Sequence, residues 1–237
     1  GGFIITWQQS SNIYAMPYAA DNTQGSLITV STASGAQNDP AAAGLANGDF
    51  MLVWDDEGAN LLKGTLYSAA GEPKRANIVL FPGISGVQRE INIMAQADGG
   101  FMVAGIIDDE IYSQRFSHTG LPFGAPILVN TTGTWPIAEN KQLDLQALDN
   151  GRYVIGWTTT TAQDGDNLTV IARVFAADGT AASAEIVLNQ YSLRMQLNVR
   201  LATTGNGDFI AVWQSDEADG HHWATMARRF DRNGQPL

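Results

Sequence analysis

The sequence predicts an all-β protein, a five-bladed antiparallel β-propeller with about four strands per blade. Three observations carry that prediction. One motif of turn, aromatic, apolar run and Trp is written five times; four strand-like runs can be cut from each copy; and the anchors, at positions 7, 54, 105, 157 and 213, recur within the ~40–50-residue range of propeller repeats or slightly above it.

The motif is clearest in Asn206-Gly207-Asp208-Phe209 running to Trp213. It returns as Gly1-Gly2-Phe3 to Trp7, Asn47-Gly48-Asp49-Phe50 to Trp54, Asp98-Gly99-Gly100-Phe101 to Gly105, and Asn150-Gly151-Arg152-Tyr153 to Trp157. The run from aromatic to Trp is almost continuously apolar and bounded by turn formers. Such a run suits a strand covered on both faces, and is too short for a buried helix. A third run ends in an aromatic followed four residues later by a turn residue: Tyr18 then Asn22, Tyr67 then Gly71, Phe116 then Gly120, Phe175 then Gly179, Phe230 then Gly234. Gly and Asn tolerate the positive φ of tight turns. The fourth run is rich in β-branched residues, as in Ile78-Val79-Leu80-Phe81 and Ile186-Val187-Leu188-Asn189. The first run alternates apolar and polar, as in Ile91-Asn92-Ile93-Met94, Leu143-Asp144-Leu145-Gln146 and Leu197-Asn198-Val199-Arg200, and is weak in the second copy, Pro40 to Leu45.

Units of this size cannot bury a core singly, so the 237 residues are expected to form a single repeat domain, with copies near 1–38, 39–87, 88–137, 138–192 and 193–237. The first copy lacks its first strand and the last stops before its fourth. Either one blade is incomplete or the chain is cut from a longer array, and an open stack of β-units is the alternative architecture.

The net charge is −11, with only three Lys. Such a chain is repelled by nucleic-acid phosphates and anionic membranes, which excludes both as expected partners. Cysteine is absent, which excludes disulfides, thiolate metal sites and thiol catalysis. No apolar run is long enough to span a bilayer as a helix.

The copy from Asn206 to Asp216 and the segment Met226 to Pro236 resemble the tandem repeat of large secreted bacterial surface proteins, RTX-type adhesins and calcium-binding, cadherin-containing giants. The resemblance covers the whole chain in five degenerate copies. It implies export to the outside or surface of a bacterial cell, a propeller-like fold and a role in adhesion. Two departures weaken any carry-over of function: Gly105 stands where the repeat has Trp, and the Asp-Gly after the Trp survives only at Asp164-Gly165 and Asp219-Gly220.

Acids cluster in the loop after each Trp: Asp55 and Asp56, Asp108 and Asp109, Asp164 and Asp166, Asp216 and Asp219. Carboxylate oxygens gathered on one face could hold Ca²⁺, the one candidate cofactor, which takes six to eight oxygen ligands at about 2.3–2.6 Å. Solvated loop acids are the plainer reading, and no EF-hand or nonapeptide calcium repeat is present. The motif aromatics read as core. Those outside the motif, Tyr14, Trp135, Tyr191 and Trp223, are the candidate ligand-binding residues, with satellite packing as the competing reading. The adjacent His221 and His222 cannot share a metal from one strand, and no Gly-x-Ser-x-Gly elbow exists. A carboxylate pair for glycoside hydrolysis would be expected among singletons such as Glu139 and Asp144, since the loop acids are echoed in every copy.

These readings lead to an expectation of a non-catalytic extracellular binding or scaffolding module. It would engage a protein or glycan, or flanking domains of a larger protein, through its variable acidic loops. A glycan-active hydrolase with carboxylates in the central channel is the first alternative, and a structural spacer the second.

Overall fold

The computed structural model describes residues 2–131, 143–160, 163–165, 168–216, 218 and 220–237, without the side chains of Gln88 and Arg89. Its strands form five antiparallel sheets, one per repeat, in the manner of propeller blades, and the predicted fold class holds.

Blade 1 holds β1 (Phe3–Gln9), β2 (Asn12–Tyr18) and β3 (Ile28–Ser31). Blade 2 holds β4 (Gln37–Gly44), β5 (Phe50–Asp56), β6 (Leu61–Tyr67) and β7 (Pro73–Val79). Blade 3 holds β8 (Gln88–Ala95), β9 (Phe101–Ile107), β10 (Glu110–Phe116) and β11 (Pro122–Leu128). Blade 4 holds β12 (Leu143–Ala147), β13 (Tyr153–Thr159), β14 (Thr169–Phe175) and β15 (Ile186–Val187). Blade 5 holds β16 (Gln196–Thr203), β17 (Phe209–Asp216) and β18 (Trp223–Phe230). In each blade the strands are paired in chain order, so neighbours in sequence are neighbours in the sheet. The chain divides into two compact units, Gly1–Asp108 with Tyr112–Ile127, and Asp109–Ile111 with Leu128–Leu237.

The two aromatics of each copy meet across the second and third strands. Phe3–Tyr18, Phe50–Tyr67, Phe101–Phe116, Tyr153–Phe175 and Phe209–Phe230 are stacked with ring centroids 4.8, 5.3, 5.0, 5.0 and 5.1 Å apart. Offset ring pairs of this kind add about 0.5–1.5 kcal/mol to what burial alone contributes. They fix the register of each hairpin, for a slip of one residue would turn every side chain to the other face. As the apolar runs imply, β5 and β9 are buried along their whole length and β13 nearly so. β17 alternates and β1 is mostly open, which the sequence pattern does not distinguish.

The missing Trp of the third copy has a packing reason. A side chain on Gly105 would meet Leu62 Cδ1 at 2.6 Å and Phe81 Cε2 at 3.0 Å. Blade 2 supplies those two buried side chains, and they occupy the volume an indole would need.

In the first unit β4 packs beside β1 and β8; in the second β12 packs beside β16. The first strands of successive blades, β4 with β8 and β12 with β16, are therefore side by side within each unit.

Candidate functional site

Three first strands open on a repeated triplet, a Gln followed two residues later by an acid or amide: Gln37-Asn38-Asp39, Gln88-Arg89-Glu90 and Gln196-Leu197-Asn198. In three copies the third residue sits in the left-handed region, Asp39 at φ 48°, Glu90 at φ 41° and Asn198 at φ 65°. Each lies at a break in register with the second strand: between Asn38 and Ala41, between Arg89 and Ile91, and between Leu197 and Arg200. These are β-bulges, which re-aim a side chain and recur beside active sites. Left-handed backbone costs a non-glycine residue about 1–3 kcal/mol. For Glu, which lacks the short polar side chain that eases the conformation for Asn and Asp, the surrounding fold must impose it. Asp39 is exposed and Glu90 half-buried, and both belong to the first unit, on β4 and β8, which pack together.

A buried polar chain fixes the strand just before Asp39. Trp54 Nε1 donates to Gln37 Oε1 at 2.8 Å, and Gln37 Nε2 donates to Asp56 Oδ1 at 2.8 Å. Asp56 also accepts from Lys63 Nζ at 2.6 Å and from the Ala59 amide at 3.1 Å. Burial alone would raise the Asp56 pKa, but Lys63, Gln37 and the Ala59 amide together hold it below the ordinary carboxylate value. Trp54 is the residue that the bulge spans, since its neighbours Val53 and Asp55 pair with Ala41 and Asn38.

Asp144 has a different use. In the fourth copy Asp144 stands opposite Gly156, the place that Ala41 takes opposite Val53 in the second. Its carboxylate is buried and accepts from the amides of Leu145 at 2.9 Å and Leu201 at 2.6 Å, the latter on β16 of the next blade. It ties two blades together, so the singleton reading of Asp144 as a hydrolytic acid gives way to a structural one. Glu139 lies outside the described residues.

The post-Trp acids are not drawn together as a calcium face. Asp55 is buried on β5 and Asp56 is held by Lys63 and Gln37. Asp108 and Asp109, at φ 46° and 72°, are the two central residues of a tight hairpin turn, and Asp108 Oδ1 accepts from the Val87 amide at 2.6 Å. Asp164 accepts from Thr169 Oγ1 at 2.7 Å and Asn189 Nδ2 at 2.5 Å. Asp216 stands 4.0 Å from Arg194 Nη1. Asp166 and Asp219 lie outside the described residues. Among the described residues no three His, Cys, Asp or Glu side chains gather in a metal-binding group.

Of the candidate ligand aromatics, Tyr14 is the cross-strand partner of Trp7, their rings 6.0 Å apart, which makes it part of the sheet face. Trp223 begins β18 opposite Asp216 and is half exposed. Tyr191 lines a small cleft with Gln190, Trp213, Met226, Ala227 and Arg228. Trp135 lies outside the described residues. Sequence reasoning missed Asp39 and Glu90. The signal that could have found them is the Gln-x-acid triplet, hidden because a bulge breaks the alternation by which strands are read.

No protein-family model matches the chain, and no curated protein matches it in sequence. Solved structures do match in fold. The endo-arabinase of Bacteroides thetaiotaomicron is 14% identical with a TM-score of 0.54, over 95% of this chain and 88% of that one. The Penicillium chrysogenum α-L-arabinanase complexed with arabinobiose is 14% identical with a TM-score of 0.56, over 84% of this chain and 65% of its own length. A Dyadobacter fermentans protein of unknown function is 12% identical with a TM-score of 0.60, over 94% of this chain and 66% of its own. At these identities the likeness establishes the five-bladed β-propeller fold. The expectation of a non-catalytic binding module without enzyme activity is corrected by these matches, since the structures that share the fold over most of this chain include an endo-arabinase and an α-L-arabinanase. Expecting a catalytic pair only among singletons overlooks that propeller blades repeat around a common channel, so acids at equivalent positions of adjacent blades can also face one another. Among the described residues, no helix is long and apolar enough to cross a membrane.

Proposed function

We propose that this chain is a glycan-active hydrolase, with Asp39 and Glu90 as its carboxylate pair. The observation that carries the reading is the placement of two acids at equivalent left-handed bulges on adjacent first strands. The fold shared with an endo-arabinase and an α-L-arabinanase supports it and suggests a furanose polymer such as arabinan as substrate.

Glycoside hydrolysis needs one carboxylic acid to protonate the leaving oxygen and one carboxylate to act on the sugar, either directly as nucleophile or by activating water. Glu90, the less exposed of the two, is assigned the proton donor. Asp39, open to solvent, is assigned the base or nucleophile. The Gln37–Trp54–Asp56 chain would hold the Asp39 bulge still, as positioning within a fraction of an ångström requires. The reaction uses no cofactor. A polymeric substrate also fits the secreted, bacterial setting that the repeat resemblance implies.

The test is release of reducing ends from arabinan, arabino-oligosaccharides and galactan by the purified chain. Asp39→Asn and Glu90→Gln should each lose activity about 10²–10⁴-fold while keeping the wild-type far-UV spectrum. Azide should partly rescue whichever variant lacks the acid or nucleophile. Inactivity of the wild type on all these substrates, or unchanged rates in both variants, would sink the reading.

A further inference from the structure

The second unit contains a cleft that the hydrolytic pair does not use. It has a volume of about 290 Å³ and is lined by Gln190, Tyr191, Trp213, Met226, Ala227 and Arg228. That is close to the lower bound of about 300 Å³ for small-ligand sites, which limits an occupant to a mono- or disaccharide unit or something of that size.

Its lining is mixed in a definite way. Tyr191 and Trp213 contribute aromatic rings and Met226 a soft apolar surface, with Trp213 almost wholly buried as part of the core. Gln190 and Arg228 contribute an amide and a guanidinium. The C–H faces of a sugar ring pack on aromatics, and its hydroxyls bond to planar donors and acceptors of this kind.

The cleft is also prepared rather than loose. Buried Asn189 donates to the Tyr191 carbonyl at 3.0 Å and to Asp164 Oδ2 at 2.5 Å, which fixes the backbone that presents Tyr191. The Arg228 guanidinium lies 5.4 Å over the Phe230 ring and donates to the Leu188 carbonyl at 3.5 Å. A guanidinium carries five N–H donors, and that carbonyl takes one. Fixing these groups before a ligand arrives lowers the ordering cost of binding.

We propose that this cleft is an accessory carbohydrate subsite that holds a sugar unit of the polymer. That the occupant is a glycan rests on the hydrolase reading. The aromatic and planar polar lining is an independent observation on the same chain.

The experiment uses the full chain carrying Asp39→Asn, so that ligand survives, and titrates it with arabinotriose and arabinohexaose by calorimetry. Two classes of site are expected. Adding Tyr191→Ala should remove one, lowering its affinity about tenfold or more, while Tyr191→Phe, which keeps the ring, should retain it. Arg228→Met reads the same cleft if Tyr191→Ala fails to fold. In the hydrolytically active chain, Tyr191→Ala should slow cleavage of polymeric arabinan more than cleavage of a nitrophenyl arabinofuranoside. Hydrolysis by the wild type with no effect of Tyr191→Ala or Arg228→Met on binding overturns the subsite and leaves the hydrolase. Loss of oligosaccharide binding on Tyr191→Ala in a chain that hydrolyses nothing keeps the subsite and overturns the hydrolase. Absence of any oligosaccharide binding overturns the subsite.

Discussion

The first strands of the two units put their acids to opposite uses. In the first unit, Asp39 and Glu90 occupy left-handed bulges, and Asp39 is open to solvent. In the second, Asp144 is buried in regular pairing and spends its carboxylate on two backbone amides, while the bulge position of blade 5 carries the amide Asn198. Place along the strand separates these outcomes. At the bulge, the residue is strained and turned out of the ladder. Two residues farther along, where Asp144 stands opposite Gly156 as Ala41 stands opposite Val53, the acid is in register and ties two blades together. Acid identity alone therefore does not mark a functional carboxylate; backbone conformation and hydrogen-bond partners do.

Substitutions can break this contrast directly. The largest effect expected is on hydrolysis, with Asp39→Ala losing it by about 10³-fold while stability falls by no more than about 1 kcal/mol, since the side chain is exposed and only its easing of the left-handed backbone is lost. Asp144→Ala should behave in the reverse sense. It strips the partner from the buried amides of Leu145 and Leu201 and should destabilise the chain by about 2–3 kcal/mol in denaturant unfolding, with faster exchange of the Leu201 amide. Equal stability losses for the two alanine variants would erase the distinction drawn here.

Gln37→Leu sharpens the comparison from the side of the bulge. Trp54 Nε1 and Asp56 each lose a buried partner, so a cost of about 1–3 kcal/mol is expected. A change in the pH profile of hydrolysis beyond that loss would show that Gln37 acts through Asp39. The smallest effects belong to the turn acids. Asp49 is held below its ordinary pKa chiefly by the Lys74 hydrogen bond, and Asp98 by the Gly100 amide and Arg115 acting against burial. A carboxylate with a lowered folded pKa adds stability that is present above the unfolded value, about 3.9, and is lost as pH falls through the folded one. Tm should therefore be level with respect to these groups from pH 5 upward and fall below about pH 4. Lys74→Ala should flatten part of that fall while changing neutral-pH stability by less than about 1 kcal/mol, Lys74 being half exposed.

The fold was legible because its determinants are local and repeated. Phe50 with Tyr67, or Phe209 with Phe230, are recognisable in sequence as the two aromatics of a hairpin, and the structure stacks them. The weak first run at Pro40 to Leu45 was placed too late, since β4 begins at Gln37 and Asp39 interrupts its alternation at positive φ. The candidate site was illegible for the same reason. A bulge leaves no periodic trace, and of the clustered acids that do catch the eye, Asp108 and Asp109 are explained by tight-turn chemistry and Asp56 by its bonds to Lys63 and Gln37. Tyr191 was visible only as an aromatic out of pattern, and Asn189, which fixes it, was read as the end of a strand.

Gly105 carries a consequence for how such chains change over time. Because Leu62 and Phe81 have moved into the room of the absent indole, the third copy no longer fits beside an arbitrary sister copy. Restoring Trp at 105 would collide with Leu62 and Phe81, and exchanging blade 2 for another blade would take away the side chains that fill the space beside Gly105. The five copies have ceased to be interchangeable parts. A lineage at this stage can lengthen its loops and retune its acids, but shuffling or duplicating single blades is closed to it unless both sides of the Gly105 contact travel together.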